Sequence, residues 1–334
     1  MVRVKTGGRI HFGFANLSLS HERLYGALGV AIERPRTVIE ATATEVIRVD
    51  TGSDVPDRIE QDTRQYVRQV CDLLGVPGAT IRVTESLPRH TGLGSGTVLG
   101  LSTLAAVAEA YGLDPSIRDR APVIGRGGRS GVGVGAFERG GFILDAGHPT
   151  ARFTIDRPRD GDWTVPAVAA RHPIPGDWRF LLVFPAVDSG RSGDEEERSM
   201  RTAVEDAEPG PADRIAGLIT RRLLPAAVEG RVSDFGSAVA EIGRLNGSWY
   251  ADEQGGVYRP PMGEIITSLN ESAAVHGAGQ SSWGPTVYGI TSVEQTTAAE
   301  RAGHAALESA GVDGSVEIVA GRNRGAHITG RSRD

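Results

Sequence analysis

The sequence predicts an α+β protein of two domains, with helices and strands mixed along the chain and joined by glycine-rich loops. Three observations carry that prediction. At 334 residues the chain is long enough for two domains or one large one. It holds 45 glycines but only 5% aromatic residues, which suits glycine loops better than a sandwich of aromatic strands. Segments of period 2 and period 3.6 succeed one another from end to end.

The elements follow in order. Arg9-Ile10-His11-Phe12-Gly13-Phe14 alternates polar and apolar residues and reads as an early strand. β-Branched runs at 29–32, 37–41 and 46–49 predict two or three strands. Ile59, Tyr66, Val67, Val70 and Leu73 share one side of a helix over 57–74, closed by Gly75 and Pro77. A strand over ATIRVTESLP, 79–88, delivers the chain into LPRHTGLGSGTVLGLSTLAAVAEAYG, residues 87–112. There Val98, Leu101, Leu104, Ala105 and Ala108 fall at helical spacing, and Gly112 ends the helix. A short helix near 116–124 precedes the glycine-rich stretch 125–147, where Val132, Val134 and Phe137 alternate with small residues and GGFILDAG reads as a hairpin strand. Residues 156–177, rich in Pro, Arg and Asp, read as a connector between domains 1–177 and 178–334. A buried strand over 178–185 opens the second domain. Helices near 195–206, 212–229, 231–247, 261–275 and 294–310 and strands near 286–291 and 315–319 complete it, and TGRSRD forms a frayed end.

Composition narrows the function. A net charge of −6 with no basic stripe argues against a nucleic-acid partner. No apolar run of membrane-spanning length and no leader is visible, so a cytoplasmic protein is expected. Cys71 is the single cysteine and rules out an internal disulfide. Lys5 is the only lysine among 36 Lys and Arg. No lysine is therefore placed to form a Schiff base or to reach a phosphate from a P-loop, and any side-chain cation that handles an anion is an arginine. No catalytic triad, HExxH or evident carboxylate pair is visible.

The chemistry-bearing signal is the junction at Thr91, Gly92, Leu93, Gly94, Ser95, Gly96 and Thr97. Glycines admit close approach, and the first helical turn offers unpaired N–H groups to an anion. The bland alternative is a glycine loop capped by its own hydroxyls. No Gly-Lys-Ser/Thr follows, so this is not a Walker loop. Further candidates surround it. His90 precedes the loop, as a phosphate ligand, a proton donor or a loop cap. Arg126 and Arg129 stand in tight glycine backbone, where arginine grips carboxylate or phosphate or else makes structural ion pairs; Ser130 and the Gly131 amide could join them. Arg9 and His11 share one strand face, toward a cleft or a half-buried surface. Arg23, then the Ser189-Gly190-Arg191 cradle, and Gln280, Ser281 and Ser282 complete the set. Glu195–Glu197 reads as a solvated helix start.

The stretch from Pro88 to Thr97 resembles the second motif of the GHMP kinase superfamily, Pro-x3-Gly-Leu-Gly-Ser-Ser-Ala, with Gly96 and Thr97 replacing the last Ser-Ala. GRIHFGFANLS followed by ERLYGALGVAIERP holds the place of the first motif, and GAGQSSWGPTVYG, 277–289, that of the third. GRGGRSGVGVGAFERGGFILDAG, 125–147, is similar to a hallmark of the β-ribofuranosylaminobenzene 5′-phosphate synthases and their C-nucleoside offshoot. The resemblance implies a GHMP-kinase-like fold: an N-terminal domain like domain 2 of ribosomal protein S5, a ferredoxin-like C-terminal domain, and a site in the cleft between them. It implies a decarboxylating phosphoribosyltransferase that joins phosphoribosyl pyrophosphate to an aromatic carboxylic acid, with Mg²⁺ from ligands the sequence does not identify. Asn16 stands where some relatives carry an acid, which favours a pyrazole acid of a C-nucleoside pathway over a benzoate of methanopterin-type synthesis. An ATP-dependent small-molecule kinase and a sugar-binding sensor are the rival classes; Gly96 argues against the first and the arginines of 125–131 against the second. A homodimer is expected.

Overall fold

The computed structural model describes residues 1–53, 55–153, 155, 158–188 and 194–330. Strand β1 (Val2–Asn16) pairs antiparallel with β2 (Arg23–Ala43) from end to end. Strand β3 (Arg48–Thr51) and helix α1 (Asp57–Leu74) lead to β4 (Ala79–Glu85), which lies parallel to β3 and antiparallel to β2. Helices α2 (Ser95–Ala110), α3 (Ile117–Arg120) and α4 (Val132–Glu138) follow, then β5 (Phe142–Asp145), β6 (His148–Pro149) and β7 (Val168–His172). β5 and β6 pair with β2, and β7 with β5, so part of the expected connector is a strand of the first sheet.

The chain then builds a second sheet. Strand β8 (Trp178–Pro185) is followed by α5 (Asp194–Glu205), α6 (Pro209–Leu218), α7 (Leu224–Glu229), α8 (Val232–Trp249), α9 (Ala251–Gln254) and α10 (Met262–Glu271). Strands β9 (Gly277–Gln280) and β10 (Val287–Ser292), helix α11 (Thr296–Ser309) and β11 (Gly314–Ala320) complete an antiparallel sheet of order β11-β8-β10-β9. The last strand, β12 (His327–Thr329), crosses back to pair with β1. Residues 331–334 of the expected frayed end lie outside the described residues.

Two local differences from the sequence reading have physical causes. The runs at 29–32 and 37–41 belong to one 21-residue strand rather than two. The break suggested by Pro35 is absorbed because β1 carries Gly7 and Gly8 opposite it and shifts register there. A Cβ on Gly7 would stand 1.9 Å from the Ile32 carbonyl oxygen, so only glycine lets the backbones approach this closely. The alternation at 132–137 belongs to α4. Gly133 and Gly135 are close-packing positions, where a Cβ would meet Thr97 Cγ2 at 3.0 Å and Ile143 Cδ1 at 3.1 Å.

One apolar core joins the two sheets. Phe12, Leu28 and Phe142 of the first pack with Trp178, Phe180 and Tyr288 of the second and with Phe235 of α8. A second core lies among α1, α2, β2 and β4, and contains Cys71. The first core seats β1 against α8 and β10, and the second seats α1 against α2. The site forms where these two arrangements meet.

Candidate functional site

The glycine loop ends at Gly94, whose left-handed backbone (φ +79°) turns the chain into α2 without a side-chain cap. The first helical bond runs from the Val98 N–H to the Gly94 carbonyl at 3.0 Å, so the amides of Ser95, Gly96 and Thr97 precede it. The loop is held from three sides. The Arg9 N–H donates to the Leu93 carbonyl (3.1 Å), and its guanidinium donates to the Gly92 carbonyl. The Ser281 hydroxyl donates to Gly92 O (2.7 Å) and accepts the His11 N–H (3.0 Å). The Thr286 N–H donates to Thr91 O (3.3 Å).

A cleft of about 600 Å³ opens over these amides. Arg9, His11, Arg89, His90, Gly92, Gly94, Ser95, Gly96, Thr97, Arg126, Arg129, Ser130 and Ser282 line it. Several lining donors are buried and lack a hydrogen-bond partner among the described residues: Nε of Arg89, Arg126 and Arg129, and Nε2 of His90. Buried donors are rarely left unmade, so such a convergence points to an absent acceptor. Two guanidinium groups crowd Gly96. A Cβ there would stand 3.1 Å from Arg89 Nη1 and 3.2 Å from Arg126 Nη1. Arg89 is held by Asp62 (2.7 Å), and Arg126 by the Tyr66 hydroxyl and ring, whose centroid lies 5.3 Å from Arg126 Cζ.

The arginine loop 125–131 rests on a buried frame. Trp163 Nε1 donates to Arg126 O (3.1 Å). Asp145 accepts the amides of Gly131 (2.7 Å), Gly147 (2.9 Å) and Ala27 (3.0 Å). Burial pushes the Asp145 carboxyl up to about 6, against the opposing effect of those three amides. His148 stacks on Phe153, with ring centroids 3.6 Å apart, and contacts the Gly128 backbone.

Electrostatics divides the lining. Burial pulls Arg9 down to about 10, still cationic at neutral pH. Burial, aided by Arg9, holds His11 well below the usual histidine range, so its imidazole is neutral. His90 is also lowered, by burial and then by Arg89 and Arg58. Arg129 is paired with Glu196 (3.3 Å) and Glu197, so its charge is already partnered; these acids do stand in the first turn of α5, partly exposed, but spend their charge on Arg129. Next to the cleft, and sharing His11, Phe14, Ser282 and Trp283 with it, lies a smaller cavity of about 50 Å³.

Other expected site residues serve the fold. Asn16 spends its side chain on Ser18 and on the Arg23 carbonyl, which closes the turn after β1. Arg23 donates to Ala146 O and Gly147 O and does not line the cleft. Leu93 is core, the Thr91 hydroxyl turns to Pro88 O, and the Gly131 amide is taken by Asp145. Both functions of the Ser281 hydroxyl are used in locking the loop. Gln280 binds the Arg259 N–H and Ser282 O and borders the smaller cavity. Ser189, Gly190 and Arg191 lie outside the described residues.

Sequence reasoning missed one whole wall. Arg58, Asp62, Gln65, Tyr66 and Gln69 line the cleft from α1. Their signal was present: polar residues at 58, 62, 65 and 69 recur at steps of 4, 3 and 4, a helical stripe beside the apolar one. Arg89 and Asp145 were also missed, although an acid inside GGFILDAG is an anomaly for a buried strand.

Residues 63–141 match the family described as GHMP kinases N terminal domain. A β-ribofuranosylphenol 5′-phosphate synthase from Methanothermobacter thermautotrophicus is 31% identical over 97% of this chain and 98% of its own length. One of the same description from Archaeoglobus fulgidus is 32% identical over 98% and 99%. Among solved structures, mevalonate diphosphate decarboxylase from Staphylococcus aureus shares 13% identity over 99% of both chains, with a TM-score of 0.69. Galactokinase from Lactococcus lactis shares 13% over 98% and 95%, with a TM-score of 0.67. These structural likenesses establish the α+β fold of GHMP kinases and no more. Among the described residues no helix is long and apolar enough to cross a membrane. With near full-length identity above 30% to relatives of one description, the chain belongs to the β-ribofuranosylphenol 5′-phosphate synthase family of the GHMP superfamily.

Proposed function

We propose that the protein transfers ribose 5-phosphate from phosphoribosyl pyrophosphate to the carboxylate-bearing ring carbon of an aromatic acid, releasing pyrophosphate and CO2. The supporting observation is the group of buried, unpartnered arginine and histidine donors around the Ser95–Thr97 amides. Such a site stabilises a highly charged leaving group without proton transfer. The C1′–oxygen bond breaks, and its electron pair leaves with pyrophosphate. The ring carbon bonds to C1′. The ring–carboxylate bond then breaks, its electron pair restores aromaticity, and CO2 departs. No proton is gained or lost, which agrees with the neutral His11 in the cleft lining.

The relatives are named for a phenol product, which favours a hydroxybenzoate acceptor over the pyrazole acid expected from the sequence. Gly96 weighs against kinase use. The superfamily serine at that position would need space that Arg89 and Arg126 occupy. The described residues contain no group of three His, Cys, Asp or Glu able to hold a metal ion, and Asp62, Glu196 and Glu197 are paired with arginines. The cleft does not fit a resident Mg²⁺, and the ion would enter as part of the pyrophosphate substrate.

The test is pyrophosphate release from phosphoribosyl pyrophosphate with and without 4-hydroxybenzoate, beside a parallel reaction with ATP. Acid-dependent release with ATP left intact is expected. Consumption of ATP, or release that ignores the acid, overturns the assignment.

A further inference from the structure

The smaller cavity differs in kind from the cleft it joins. Among the described residues no Asp, Glu, Lys or Arg lines it, and the histidine that does, His11, is neutral. Its walls are aromatic: Trp283 packs on Tyr250 with centroids 4.8 Å apart, and Phe14 faces His11 at 5.0 Å. Two of its amide side chains are committed through both functions, and Gln254 donates to the Val257 carbonyl. Asn246 pairs with the Phe14 backbone through both functions, and Gln280 with Arg259 and Ser282. At the floor is Gly243, where an added Cβ would lie 3.6 Å from the Tyr258 hydroxyl and 3.7 Å from the Tyr288 hydroxyl. The Tyr258 hydroxyl makes no hydrogen bond among the described residues.

Size adds a constraint. A cavity of about 150 Å³ takes a whole benzene ring. At about 50 Å³ this one takes only a ring's edge, so the rest of the molecule stays in the arginine cleft. Arg9 and His11, two residues apart on β1, face the same way; Arg9 lines the cleft, and the neutral ring of His11 lines both the cleft and the pocket.

We propose that this pocket seats the acceptor's ring edge and restricts the enzyme to acids whose substituents, apart from the reacting carboxylate, are uncharged. The carboxylate stays beside Arg9, and the opposite edge enters between Phe14 and Trp283 toward Tyr258 and Gly243. A second ionised group at that edge would be buried without a charged partner, a heavy penalty. The proposal rests on the phosphoribosyltransferase reading and names its acceptor subsite.

The test is direct binding, by calorimetry in the presence of pyrophosphate, alongside turnover. 4-Carbamoylbenzoate and benzene-1,4-dicarboxylate are nearly the same size and differ in charge at the far edge. The neutral amide is expected to bind at least about tenfold more tightly. Gly243→Ala should not strain the fold, since its Cβ meets only ordinary contact distances and alanine favours a helix. It should weaken 4-hydroxybenzoate binding at least about tenfold while leaving pyrophosphate binding unchanged, because it fills the floor of the acceptor pocket alone. Equal affinity for the two para-substituted acids, full 4-hydroxybenzoate affinity in Gly243→Ala, or no binding of these acids by the wild type overturns the proposal. Binding as expected without turnover leaves the pocket in place and refutes the reaction instead.

Discussion

Replacement of Arg126 by alanine tests the anion site most cleanly, because the structure separates its binding role from its structural one. The guanidinium stacks on Tyr66, donates to its hydroxyl, and crowds Gly96 at the start of α2. Its Nε is buried and unpartnered. Removing it costs the fold a partly buried cation–π contact, about 0.5–1 kcal/mol, and the hydrogen bond to Tyr66, about 0.5–1.5 kcal/mol. That loss is offset by removal of an unsatisfied buried donor, worth about 1–3 kcal/mol. The thermal midpoint should therefore move by no more than about 3 °C. Binding should suffer far more. One charge-assisted hydrogen bond to the anion is worth about 1.5–3 kcal/mol, so pyrophosphate affinity should fall roughly 10- to 150-fold. Titration calorimetry with pyrophosphate on folded Arg126→Ala protein reads this directly, and Tyr66→Phe, which keeps the cation, should lose only a few-fold. Unchanged pyrophosphate affinity in Arg126→Ala would refute the argument that these orphaned donors await an anion.

Other consequences follow from the same frame. Asp145→Ala strands three buried amides and should cost about 3 kcal/mol or more in urea unfolding, with Asp145→Asn milder because one oxygen acceptor remains. Equal losses in the two variants would contradict the amide-holding role. Gly92→Ala places a Cβ 2.1 Å from Ser281 O at φ +85° and should destabilise by about 3 kcal/mol; a variant as stable as wild type would show that the two loops do not touch. Burial lowers His148 to about 4, so the unfolded chain binds its proton first as pH falls below about 6.5. Its contribution to stability is intact above that value and is lost toward pH 4, by up to about 2 kcal/mol between pH 7 and 5. Asp145, raised to about 6, acts in the opposite sense between about 6 and 3.8. His148→Phe should therefore flatten the acid loss seen in urea midpoints, and parallel pH profiles for the two proteins would exclude His148 as its source.

The parts of the site that sequence makes legible are those where backbone chemistry dominates. The 91–97 junction can be read because glycine spacing and an apolar helix together define a turn with free amides, and the structure places Gly92–Thr97 beside the cleft. Arg126 and Arg129 can be singled out because long cations sit badly in tight glycine backbone, but their partners cannot. Tyr66, Glu196 and Glu197 arrive from distant segments, and only the fold brings them within reach. Asn16, Arg23 and Ser281 show the converse. Polar side chains near a motif are as readily spent on backbone groups as on substrate, and spacing does not distinguish the two uses. For the fold, strand periodicity located β1, β2 and β8, whereas the joining of 29–32 to 37–41 depended on glycines in the partner strand. The return of β12 to β1 has no local signal, because a three-residue exposed strand is specified by its neighbour.

The central claim concerns where the carboxyl carbon goes. With 4-hydroxybenzoate labelled in its carboxyl group and phosphoribosyl pyrophosphate in excess, the account predicts labelled CO2 and pyrophosphate in equal amounts, with none of the label left on the ribosylated product. Pyrophosphate release with the label kept in the product would contradict it.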